Sequence, residues 1–162
     1  MKKLLVFSLL LFPALSFAAM ENSETSILNF RANQLSVFQG SQNSFSGSIS
    51  WNPTVAISSS LAILGNFGAG LLVGSGITNF YALEYELLLD LKAGQALHFE
   101  AGGGAQTWTT NPSITAAMAS VNIVYRFEHP ILAIIDGLFI GGSDVFQSTA
   151  AYEAKAGGQI RF

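Results

Sequence analysis

The residues with the means to do chemistry are Arg31, Glu84, Glu86, Asp90, His98, Glu100, Arg126, Asp136, Glu153, Lys155 and Arg161, which recur at even spacings within their segments. A metal centre needs three or four converging ligands. His98 and Glu100 stand two apart, and no third ligand joins them at that spacing. A nucleophile needs a base within hydrogen-bond reach. The chain has two histidines, His98 and His129, and neither has a serine neighbour at strand spacing. What remains is mutual compensation: acids and bases that share a dry space must pair, because an isolated buried charge is costly. An ion-pair network is therefore expected, with no catalytic residue, no cofactor and no metal. The glycine clusters at 102–104, 141–142 and 157–158 are not phosphate loops, since no helix follows them. They suit strand bending and close strand packing instead.

The elements that position these residues are strands. From Ser26 onward the hydrophobic period is two. Phe45, Gly47, Ile49 and Trp51 alternate with serines, and Tyr81, Leu83, Tyr85, Leu87, Leu89 and Leu91 alternate with Glu84, Glu86 and Asp90. The final segment repeats the pattern, with Tyr152, Ala154, Ala156, Gly158, Ile160 and Phe162 opposite Glu153, Lys155, Gln159 and Arg161. Turn residues divide the chain into strands at 26–37, 44–51, 55–64, 79–91, 96–109, 114–127, 131–141 and 149–162. That count is even, as closure of an antiparallel bacterial barrel requires. Short connections at Asn52–Thr54, Lys92–Gln95 and Glu128–Pro130 alternate with connections at 38–43, 65–78, 110–113 and 142–148, three of them longer. The glycine-rich stretch 65–78 reads as a loop or a strand extension, with a ninth short strand left open. Closure would pair 149–162 with 26–37.

Composition narrows the setting. Half of the residues are hydrophobic and a tenth are charged, yet no second stretch is long enough for a membrane helix. Lys2 and Lys3, the apolar run Leu4–Phe12, Pro13 and Ser16-Phe17-Ala18 have the form of a cleaved export signal. Residues 1–18 are thus expected to be removed, leaving 19–162 as one barrel domain. The absence of cysteine excludes a lipoprotein anchor and a disulfide scaffold. Ten acidic residues against seven basic ones give no basic patch, so nucleic acid is not an expected partner.

Alternation alone does not say which face is wet. A secreted barrel hides its apolar face, and a membrane barrel exposes it. Large aromatics sort by height on the apolar face: Phe30, Trp51, Phe99, Tyr125, Phe127 and Phe162 near one rim, and Phe45, Tyr81, Phe139 and Tyr152 near the other. Two such girdles suit rings at the two membrane interfaces. The C-terminus adds Lys155, Gly157, Ile160 and Phe162, spaced as polar residue, glycine, hydrophobic residue and terminal aromatic. This resembles the β-signal of Gram-negative outer-membrane barrel proteins, and the whole pattern is similar to their small eight-stranded, porin-like members. The resemblance implies insertion by the barrel-assembly machinery, an outer-membrane location and contact with its lipid.

On this reading Leu28, Phe30, Ile49, Leu83, Leu87, Phe99, Val121, Ile123 and Ile160 face lipid, and the ionisable set fills the lumen. Ser44, Ser46, Ser48, Ser60, Ala62, Gly102, Gly104 and Gln106 would line a shallow water-filled cup in the outer half. A structural or surface-interaction role is expected. The alternatives are a minor pore or small-ligand barrel, or an enzyme modifying lipid A. The last requires serine beside histidine at the outer leaflet, where neither histidine falls. No extracellular partner is named by the weakly charged loops.

Overall fold

The computed structural model describes residues 29–39, 42–74, 80–110, 112–131, 135–147 and 151–161. The expected export signal lies outside these residues, as do Leu28 and Phe162. Among the described residues there are nine strands: β1 (Asn29–Gln39), β2 (Gln42–Trp51), β3 (Thr54–Ala56), β4 (Leu61–Gly74), β5 (Phe80–Ala93), β6 (Leu97–Trp108), β7 (Ile114–Ile131), β8 (Ile135–Phe146) and β9 (Ala151–Arg161).

Every neighbouring pair is antiparallel, in the order β2-β1-β9-β8-β7-β6-β5-β4-β3, and a further β2–β4 pairing closes the sheet. Eight long strands form the wall, and the three-residue β3 packs against the start of β4. The expected closure is present: β1 pairs with β9 from Asn29↔Arg161 to Gln39↔Ala151. The end carrying Asn29, where the links 52–60 and 94–96 lie and where β7 ends and β8 begins, we call the turn end; the opposite end is the loop end. Gly94, with φ 87°, supplies the left-handed residue in the β5–β6 turn.

Three departures from the sequence reading have physical causes. The third wall strand is β4 at Leu61–Gly74, not 55–64, so most of the glycine-rich stretch is a strand extension. The ninth strand lies at Thr54–Ala56, ahead of that stretch. Gly68 serves packing there, since a Cβ would stand 3.3 Å from the Ser50 Cβ across the β2–β4 pair.

The second departure is in β8. The β8–β9 register shifts between Ile135 and Gly137, and the β7–β8 register between Arg126 and Ile131. A strict period of two from inward Asp136 would turn Phe139 out. The irregularity moves the phase by one residue, so Phe139 is buried at 4% exposure while Leu138 and Ile140 face outward. Phe139 does not belong to a girdle.

The third departure concerns the outer half of the lumen. Ser60 is exposed in the β3–β4 link, Ala62 lies near the turn end, and the side chains of Ser44 and Ser46 fall outside the described residues. Ala82, Trp108, Ala116, Met118, Val145 and Ala151 form a buried apolar cluster at the loop end, a cap where the cup was expected.

Glycine is obligatory where β6 meets β5. A Cβ on Gly102 would lie 2.1 Å from the Leu87 carbonyl oxygen, and one on Gly104 only 1.8 Å from that of Tyr85. The β6 backbone presses into β5 there, and no L side chain fits.

Candidate functional site

Strand alternation carries the ionisable side chains to the inside. β5 turns Glu84, Glu86 and Asp90 inward, β6 does so with His98 and Glu100, β9 with Glu153 and Lys155, and β1 with Arg31; all are between 1% and 6% exposed. The outward positions between them hold Leu87 at 65%, Ile49 at 66% and Val121 at 63%. Phe99 and Ile123 also face outward, whereas Phe30, Leu83 and Ile160 are half-buried. Polar inside and apolar outside is the reverse of a water-soluble barrel.

Near the turn end the charges pair one to one or better. The Arg31 guanidinium grips Glu100 with both terminal nitrogens, Nη1 to Oε2 at 2.7 Å and Nη2 to Oε1. Such a fork fixes geometry as well as charge. Arg31 Nη2 also donates to Gln159 Oε1 at 3.2 Å, Asn122 Nδ2 donates to Glu100 Oε2 at 3.1 Å, and the guanidinium stacks over the Phe139 ring at 5.1 Å. Asp90 meets His98 Nδ1 at 2.9 Å and accepts from Arg126 Nη2 at 3.2 Å. Asp136 is buried and engaged as well. The side chain of Arg161 lies outside the described residues.

Midway up the lumen the balance differs. Lys155 Nζ stands 3.1 Å from Glu84 Oε2 and 3.7 Å from both Glu86 Oε2 and Glu153 Oε2. Neutral donors share the load. Asn66 Nδ2 donates to Glu84 Oε2 at 3.3 Å and to Glu86, Ser120 donates to Glu86, and Gln106 Nε2 donates to Glu84 Oε1 at 3.3 Å. Asn66 is held in turn by Asn52, whose Nδ2 donates to Asn66 Oδ1 at 2.9 Å, and Ser50 Oγ donates to Asn52 Oδ1 at 2.9 Å. Above this cluster, Trp108 Nε1 donates to Gln106 Oε1 and so ties the apolar cap to the network.

Sequence reasoning missed the Ser50–Asn52–Asn66 chain because Asn66 fell in the stretch left open between a loop and a strand extension. The strand alternation around Asn66 would have found it once β4 was extended. In the expected β-signal, Lys155 is the centre of the carboxylate cluster, Gly157 pairs with Asn33 and Phe139, and Ile160 pairs with Phe30.

The outer rims are aromatic. Trp51 pairs with Phe67, ring centroids 5.5 Å apart, and Tyr125 meets Phe127 edge-on at 5.8 Å. Toward the loop end Tyr81 and Tyr152 are 61% and 58% exposed, joined by Phe146, which the sequence reading had not assigned. The Phe45 side chain is outside the described residues.

The His98 ring is 2% exposed and engaged with Asp90, and His129 lies on the exposed overhang of β7. The lumen can hold charge and seal a cylinder, and among the described residues neither histidine is hydrogen-bonded to a serine.

No family model and no curated protein matches the chain. Among solved structures, Ail, the attachment invasion locus protein of Yersinia pestis, aligns with a TM-score of 0.45 at 10% identity, over 82% of this chain and 95% of that one. The N-terminal β-barrel domain of Pseudomonas aeruginosa OprF aligns with a TM-score of 0.53 at 11% identity, over 86% of this chain and 100% of that domain. The likeness to the OprF domain is one of fold: a closed antiparallel barrel of the same kind.

Proposed function

We propose that this chain is an integral outer-membrane β-barrel with a structural or surface-interaction role, its lumen closed by the ionic network and the apolar cap. The observation that carries the reading is the inverted wall. A belt of exposed Ile, Leu, Val and aromatic side chains would be unstable in water over such an area. In lipid the same belt is the favoured surface, and a closed sheet leaves no edge to desolvate. The turn end would face the periplasm and the loop end the exterior, delivery following the expected export signal and β-signal.

The packing of the lumen favours this role over a pore. Arg31, Glu100 and Phe139 fill the turn-end half, and Trp108 and Met118 fill the loop end. A transmembrane barrel of this strand number has an interior that side chains can fill. The burial of His98 likewise weighs against lipid A chemistry, which would need a base at the outer leaflet.

Unboiled gel mobility of the protein in purified outer membranes tests the proposal. A heat-dependent shift in that fraction, with no steady conductance in planar bilayers, is expected. Recovery as a soluble periplasmic protein without a shift would overturn it.

A further inference from the structure

The phase shift that buries Phe139 has a second consequence at the other end of β8. It turns Asp144 outward, between Ala119 on β7 and Tyr152 on β9, both outward-facing. Among the described residues Asp144 is the one charged side chain on the outer wall, apart from Glu128 and His129 on the β7 overhang. It is half-buried, and among those residues it has no hydrogen bond or ion pair.

Asp144 also stands at the head of a groove. One concavity of about 470 Å³ runs past Asp144 and Tyr152 over Ala101, Ala119 and Gly142. A second, of about 490 Å³, continues over Ala101, Val121 and Gly142 to Phe99, Ile123 and Ile140. The shared residues make them one trough, floored by small side chains and walled by large apolar ones. Asp144 lies two residues from the loop end of β8, and Ile140 lies ~13 Å further along the strand toward mid-wall. A carboxylate at the rim above an apolar trough has the layout of one membrane lipid, headgroup above acyl chain.

We propose that this trough binds a lipid with a primary ammonium headgroup: the ammonium donates to Asp144, and an acyl chain lies over Ala119, Ala101 and Gly142. The inference rests on the membrane-barrel reading above. Charge complementarity selects the occupant. A headgroup with net negative charge and no ammonium would be repelled by the carboxylate. A second copy of the chain offers no described cation on its outer wall. A quaternary ammonium carries charge but no N–H to satisfy the carboxylate, whereas a primary ammonium carries three.

The test uses full-length protein folded into vesicles of equal parts phosphatidylethanolamine and phosphatidylcholine, with retained lipid read by native mass spectrometry. The wild type is expected to keep one phosphatidylethanolamine in roughly threefold preference, as suits one exposed ion pair. Asp144→Asn should lose the preference, and Ala119→Phe should lose the bound lipid altogether. With wild type alone, stepwise N-methylation of the headgroup should lower retention at each step, which keeps the proposal testable if a variant fails to fold. Equal retention of both lipids overturns it, as does a preference unchanged in Asp144→Asn. A retained second protein copy in place of lipid overturns it too, as does magnesium-dependent retention of phosphatidylglycerol. Heat-modifiable mobility, recorded on the same samples, reports the barrel separately: its loss sinks the membrane reading, and its persistence without lipid preference sinks only this one.

Discussion

The two ionic clusters in the lumen solve one problem in different ways. Near the turn end, Glu100 has Arg31 to itself, and Asp90 has both His98 and Arg126. Midway up, Glu84, Glu86 and Glu153 share the single ammonium of Lys155 and lean on Asn66, Gln106 and Ser120 for the rest. The first arrangement gives each carboxylate an arginine of its own. The second hangs on one residue. A buried carboxylate stripped of its cation bears a desolvation cost that neutral donors only partly offset, so the clusters should differ most when a cation is removed.

Lys155→Met should therefore have the largest effect, about 4 kcal/mol of stability lost in urea unfolding followed by unboiled gel mobility. Adding Glu84→Gln should recover only part of it, since Glu86 and Glu153 remain. Arg31→Met should cost about 3 kcal/mol, and pairing it with Glu100→Leu should bring the total back to within about 1 kcal/mol of wild type, a removed pair being cheaper than a broken one. Full recovery of Lys155→Met by Glu84→Gln alone would erase the distinction between the clusters. In the cap, Met118→Ala should cost about 2 kcal/mol through the cavity it leaves. Smallest is His98→Gln, expected to cost about 1 kcal/mol, because Arg126 still neutralises Asp90.

Much of this architecture is legible in the sequence because a strand has only two faces. Once alternation assigns Glu84 inward, Leu87 must point outward, and the eight-strand wall with its β1–β9 closure follows from turn spacing. Two features escape for related reasons. Glycine reads as a turn signal, so Gly65, Gly68, Gly70 and Gly74 disguise β4, where the missing side chains of Gly65 and Gly68 instead admit close neighbours. The irregularity at Ile135–Gly137 leaves no hydrophobic signature, yet one residue of slip exchanges the positions of every later side chain in β8. Phe139 and Asp144 both change sides through that single slip. The cap escaped because Trp108, the last residue of β6, had no place in the sequence reading; its indole N–H is drawn inward by Gln106.

The central claim is that the wall is inside out, and the two tryptophans report on it from opposite sides. Trp51 is 41% exposed on the outer wall and Trp108 is 5% exposed in the lumen. In vesicles containing brominated lipid, the Trp108→Phe variant should show strong quenching of Trp51, while the Trp51→Phe variant should leave Trp108 bright. Trp108 quenched with Trp51 spared, or neither tryptophan touched by the lipid, would contradict the account.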